Sequence, residues 1–248
     1  MKLGCCGGLN ERKSLKEIGF DFIECPVGMA MDMEEKEIKQ LDNNLPFYAF
    51  NCFIPGDLKI CGEQVDFEKL EEYVTEACRK VNLLGGKRIV FGSGGARRIP
   101  DGFPREKAWE QIKEFLKMVA KPAEKYDITI AIEPLNKKET NVLNTLAESI
   151  RMAEEVNQPK IIKVLVDLYH LEEENESYEH IRDAGDLLAH IHVADTERLY
   201  PGSGNYDYDN LFDILDAINY NKGISIECRW DNKEEEVKKA YNFLNKYV

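Results

Sequence analysis

Two hydrophobic periods alternate along the chain. Short apolar runs, each ended by turn or polar residues, predict strands at 2–6, 22–25, 47–53, 88–92, 128–132, 161–166, around His190 and His192, and at 223–226. Between them, stretches with helical spacing predict helices at 10–18, 29–41, 66–84, 106–126, 145–156, 172–184, 210–218 and 233–247. The stretch 66–84 is the clearest: Phe67, Leu70, Val74, Ala77, Cys78, Val81 and Leu84 share one face, and Gly85 and Gly86 end it. The loop at 93–104, rich in Gly, Arg and Pro, is longer than a plain connector and is expected to carry function.

Eight strand–helix units of about 30 residues each match the size of a (β/α)8 barrel, since parallel strands need a helical crossover between them. The expectation is an α/β protein, a (β/α)8 TIM barrel in a single domain over residues 1–248. A doubly wound open sheet is the alternative. It carries a glycine fingerprint after its first strand, and Gly4, Gly7 and Gly8 do not have that spacing.

Composition narrows the function. A net charge of -13 argues against a nucleic-acid surface, which needs clustered Lys and Arg. Seven cysteines, an odd number with no Cys-x-x-Cys pair, point to a reducing compartment. No apolar run has the length of a membrane span or of a signal-peptide core, so no membrane partner and a cytoplasmic location are expected. The acidic stretches at 31–40 and 172–179 read as solvated helix faces, and a homo-oligomer, if one forms, would use another surface.

The chemistry gathers at strand ends. Glu133, Asp167, His192 and Glu227 close the predicted strands five to eight on the carboxyl face, where barrel enzymes keep their sites. Three carboxylates and an imidazole at one point repel unless a cation neutralises them, and this donor set suits one divalent ion such as Mn, Co, Mg or Zn. Each residue alone is as readily a solvated or core group; the coincidence at four successive strands carries the argument. His190 reads as a core or supporting group rather than a ligand. Cys5, Cys25, Cys52 and Cys228 read as core thiols near strand ends. Phe50, Phe53, Tyr200 and Trp230 are either pocket wall or core.

The motifs Ile132-Glu133-Pro134-Leu135-Asn136, Val166-Asp167-Leu168-Tyr169-His170, His190-Ile191-His192, Arg198 with Pro201-Gly202-Ser203-Gly204, and Ile226-Glu227 resemble the sugar isomerase and epimerase branch of the xylose-isomerase-like barrels. The pattern is similar to D-tagatose and D-psicose 3-epimerases, and it covers mainly the second half of the chain. The resemblance implies that Glu133, Asp167, His192 and Glu227 hold the metal, manganese among the candidates, and that Glu133 and Glu227 are the acid–base pair. It also implies that His170, Arg198 and Glu139 orient the substrate, a ketose or ketose phosphate that passes through a metal-stabilised enediolate.

Arg229 departs from that pattern, standing two residues after Glu227 where an apolar residue is usual in these epimerases. With Arg97 and Arg198 it suggests a phosphate or carboxylate on the substrate. An inosose dehydratase or a hydroxypyruvate isomerase would use the same ligands. A catalytically silent sugar-binding barrel is the alternative of another class. The four histidines, none before residue 170, argue against an apurinic endonuclease, which needs more of them for its metals.

Overall fold

The computed structural model describes residues 1–42 and 44–248. Eight parallel strands close into a barrel in sequence order: β1 (Lys2–Cys6), β2 (Phe22–Pro26), β3 (Phe47–Asn51), β4 (Arg88–Phe91), β5 (Thr129–Ile132), β6 (Ile162–Asp167), β7 (Leu188–Val193) and β8 (Gly223–Ile226), with β8 paired back to β1. Because helices cover the outside, the strands are buried on both faces, and β7 is buried at all six positions. The main core lies between strands and helices. Phe50 and Phe53, fully buried, belong to it, Phe53 meeting the ring of Phe115 at 6.4 Å, so neither walls a pocket.

Inside the barrel the filling is partly aromatic and partly polar. Gly4 and Gly223 make room for Phe22 and Tyr48, since a Cβ at either glycine would run into those rings. Arg88 lies 4.4 Å from the Tyr48 ring centre and donates to the Ala189 carbonyl oxygen. A bulge lets Leu188 pair with Val164 and His190 with Leu165, and the skipped Ala189 packs with Val90, Ala131 and Leu165.

The expected helix at 29–41 is two helices, Val27–Asp32 and Glu35–Gln40. Met33 and Glu34 are extended between them, and the second starts with a capping box in which Glu37 accepts from the Glu34 N–H. The expected helix at 172–184 is also divided, into Leu168–Glu173 and His180–Ala184. Its acidic residues are not a solvated face: Glu174 accepts from the Lys137 N–H, and Glu176 accepts from Leu146 N–H at the start of the helix Leu146–Val156. β3 ends two residues before the expected 53, because Cys52 turns to a left-handed backbone (φ 50°). The loop after β4 contains one helical turn, Gly94–Arg97. Among the described residues no helix is long and apolar enough to cross a membrane.

Candidate active site

Four strand ends bring Glu133, Asp167, His192 and Glu227 together at the carboxyl end of the barrel, with one ligand atom from each lying within 4.8 Å of every other. Glu133 follows β5, Asp167 is the last residue of β6, His192 points inward from β7, and Glu227 follows β8. Three of the four are nearly inaccessible, while Glu227 keeps about a fifth of its side chain open. Local structure fixes each. Asp167 caps the helix Leu168–Glu173, its Oδ1 accepting from the Tyr169 N–H at 2.8 Å. Its Oδ2 is buried with no hydrogen-bond partner among the described residues. Gly92 leaves space for Glu133, because a Cβ there would collide with Glu133 Oε2.

His192 Nδ1 faces two carboxylates, Glu133 Oε1 at 3.2 Å and Glu227 Oε2 at 3.5 Å. Burial opposes a charge on His192, but Glu24 and then Glu227 outweigh it and lift its pKa well above the ordinary imidazole value. Burial likewise pushes the Glu133 and Asp167 carboxyls upward, with Glu227 adding to both. On Glu227 burial is overcome by His192 and Arg198, which pull its pKa down to about 2. With protons alone the cluster is held together by partial neutralisation. A divalent cation fits the same donor set: the orphaned Asp167 Oδ2, the nitrogen and the converging carboxylates supply one nitrogen and several oxygens around a point that wants positive charge.

Of the residues read as substrate-orienting, Glu139 and Arg198 line the same mouth, and His170 is buried behind it. A cavity of about 350 Å³ is bounded by Glu133, Glu227, Glu139, Arg198, Asn51 and the backbone at 92–95. Arg198 crosses it, donating to Glu139 Oε1 at 3.0 Å and to Glu227 Oε2 at 2.8 Å, with its guanidinium 4.9 Å from the Tyr169 ring centre. It and Glu197 both have φ of 60°, a backbone state that costs of order 1–3 kcal/mol for non-glycine residues. His170 is buried in the helix after β6. Its Nδ1 accepts from the Asn136 backbone N–H at 3.2 Å, so in the neutral ring Nε2 carries the hydrogen. That Nε2 has no hydrogen-bond partner among the described residues; Asp167 Oδ2 lies 3.7 Å away and Glu139 Oε2 3.9 Å.

Arg97 is not at the mouth. It is fully buried, donating from Nη1 to the Phe91 carbonyl oxygen and from Nη2 to those of Glu133 and Leu143, so it ties β4, β5 and the following loop together and cannot meet substrate. Burial draws its pKa down to about 10, which leaves it charged at neutral pH. With Arg198 neutralised by two carboxylates as well, the expected basic pocket reduces to Arg229. That residue is exposed, its backbone N–H donating to the Arg198 carbonyl oxygen at 2.7 Å. Tyr200 and Trp230 are half-buried against the core.

Three residues in or beneath the site had no role assigned from the sequence, although Asn136 stands in one of the motifs. Asn51 donates from Nδ2 to Glu227 Oε1 at 3.3 Å, and Asn136 holds His170. Glu24 lies fully buried on β2 beneath His192. Its signal was an acidic residue inside the apolar run Phe-Ile-Glu-Cys.

Residues 13–247 match a family described as the Xylose isomerase-like TIM barrel. A 3-dehydro-D-guloside 4-epimerase of Escherichia coli (strain K12) is 30% identical over 234 residues, covering 89% of this chain and 87% of that one. An L-ribulose 3-epimerase of Mesorhizobium japonicum is 27% identical over 218 residues, 86% of this chain and 72% of the relative. A crystal structure of a D-psicose 3-epimerase in the presence of D-fructose superposes with a TM-score of 0.91 at 20% identity, covering 100% of this chain and 99% of that one.

Proposed function

The chain belongs to the xylose isomerase-like TIM barrel family, and from that premise we propose that it is a divalent-cation-dependent epimerase, inverting a carbon next to the ketone of a sugar. The observation that carries the reading is the placement of Glu133 and Glu227. They leave β5 and β8, three strands apart round the barrel, and both reach the point faced by His192 Nδ1. Inversion needs that arrangement, because one group must remove a proton from one face of the carbon and another must return it to the opposite face. The reaction is reversible, so the two carboxylates exchange roles with direction.

The cation would be held by Glu133, Asp167, His192 and Glu227; when bound, it polarises the ketone and offsets the negative charge that deprotonation leaves on the oxygen. His170 presents its Nε2–H, and Arg198 its guanidinium, to the hydroxyl and carbonyl oxygens of the sugar. Glu139, already hydrogen-bonded to Arg198, accepts from a hydroxyl. The small lining at 92–95, mostly glycine, lets the ring or chain lie against backbone.

A second reading, a keto-glycoside rather than a free ketose, is favoured by the 4-epimerase relative, which matches most of the chain at 30% identity. The residues would perform the same proton transfer for either. The test is an assay of metal-stripped protein reloaded with Mn2+ against ketoses, ketose phosphates and 3-keto-glycosides, with new epimers followed by NMR. Epimer formation is expected only with the cation, reduced about 10²–10⁴-fold in Glu133→Gln or Glu227→Gln. Loss of water from the substrate instead of inversion would replace the epimerase reading by a dehydratase. Tight sugar binding with no turnover would replace it by a silent binding barrel.

A further inference from the structure

Beneath the proposed cation site lies a carboxylate that the reaction does not use. Glu24, inside β2, reaches across the barrel to β7 and β8 and is fully buried. Its Oε2 accepts from Ser225 Oγ–H at 2.6 Å and lies 2.8 Å from His190 Nε2, while its Oε1 lies 2.9 Å from His192 Nε2. Three polar groups thus meet the two carboxylate oxygens at hydrogen-bond distance. A carboxylate enclosed in this way serves as acceptor, so each imidazole nitrogen that faces it carries the hydrogen.

For His192 this settles the other ring nitrogen. With Nε2–H committed to Glu24, Nδ1 is the atom that points at Glu133 Oε1 and Glu227 Oε2. A bare nitrogen lone pair 3.2 Å from one carboxylate and 3.5 Å from another is unfavourable unless a proton or a cation lies between them. We propose that Glu24 is a positioning residue for the cation: by taking the hydrogen of His192 Nε2 it fixes the ring's tautomer and rotation and so makes Nδ1 the ligand. The inference rests on the reading of Glu133, Asp167, His192 and Glu227 as the cation site.

The surroundings hold Glu24 to that task. His190 and Ser225 share Oε2, and Ser225 Oγ lies 3.0 Å from His190 Nε2. The His190 ring also meets that of His192 edge-on, at 5.3 Å between centres and 85° between planes, so His192 has little room to turn. Carboxylate, imidazole and cation in line is the arrangement by which an outer residue orients a metal-bound histidine and raises its basicity.

The test is a titration of metal-stripped wild type, Glu24→Gln and Glu24→Asp with Mn2+, followed by the EPR signal of the free ion, with circular dichroism to establish folding. Glu24→Gln keeps the shape but gives up the charge and half of the acceptor capacity. Its affinity is expected to fall about 10–100-fold, with Glu24→Asp, which keeps the charge on a shorter arm, lying between. In parallel, wild type labelled with 15N-histidine and loaded with Zn2+ reads the tautomer without any substitution, and it decides the matter if Glu24→Gln does not fold. His192 is expected to be metal-bound at Nδ1 and protonated at Nε2. Metal at Nε2, or an Nε2 without hydrogen, overturns the inference. So does Mn2+ affinity in a folded Glu24→Gln within threefold of wild type, and either result leaves the cation site standing. Wild type that binds neither Mn2+ nor Zn2+ overturns the site itself and the inference with it.

Discussion

Arg97 shows how one side chain can be seen in the sequence and still be misplaced. Its position in the loop after β4, beside Arg98 and with Arg198 and Arg229 further on, reads as a cationic mouth. The guanidinium instead serves three carbonyl oxygens, including that of Glu133, and spacing does not reveal whether an arginine meets an anion or backbone. Arg97→Met should leave those buried oxygens without donors and cost about 3 kcal/mol or more in urea unfolding of the metal-free protein; a loss under about 0.5 kcal/mol, typical of an uninvolved surface residue, would contradict the assignment. Of the three arginines expected at the mouth, Arg229 is the one whose guanidinium has no partner among the described residues, and Arg229→Ala should raise KM for a sugar phosphate while sparing the unphosphorylated sugar. Equal kinetics on both removes it from recognition. Glu133, Asp167 and Glu227 were legible because each is a polar residue ending an apolar run, and His192 because it alternates with His190 within one, whereas Glu24 stands alone inside its run and is given away only by its charge. His192 also sets a pH dependence. Its raised pKa means that the metal-free ring is protonated at neutral pH, so an entering cation must displace that proton. Mn2+ affinity should therefore rise with pH, and calorimetry in buffers of different ionisation enthalpy should show about one proton or more released per ion at pH 7.

Strands were easier to read than the helices between them. β1 and β8 have the expected bounds, because a buried parallel strand is a compact apolar run with its own punctuation. The helices at 27–40 and 168–184 divide for reasons that lie elsewhere in the fold. In the second, Glu176 is drawn away to the N–H of Leu146, Asn175 takes φ of 53°, and Tyr178 hydrogen-bonds Glu172, none of which leaves a mark on a helical period. The end of β4 and the start of the site meet at Gly92, where the absence of a side chain is what admits Glu133 Oε2. Gly92→Ala should move that carboxylate, and a displacement of about 1 Å can cost about 10²-fold in kcat/KM. A variant with wild-type kcat/KM would show that Glu133 does not act from the position the structure gives it.

At the scale of the whole molecule, closure of the barrel turns four distant stretches of chain into one centre and sets Glu24 of β2 against His190 and His192 of β7. An acidic protein, net charge -13, thereby gathers four carboxylates and three imidazoles around one centre, and folding must tolerate the mutual repulsion of the carboxylates. A cation relieves it, so binding and stability are linked: at an ion concentration of about 100 times Kd the folded state should gain about 2.7 kcal/mol. Thermal unfolding with and without Mn2+ reads this, and an unchanged Tm would mean that the folded centre does not hold the ion. The central claim, inversion through proton transfer at a carbon next to a ketone, is tested most directly in D2O. Mn2+-loaded protein should place one deuterium at the inverted carbon of its sugar, with the label lost on chelation and in Glu133→Gln or Glu227→Gln. Epimer formed with no solvent deuterium at that carbon, or label that persists in both variants, would contradict it.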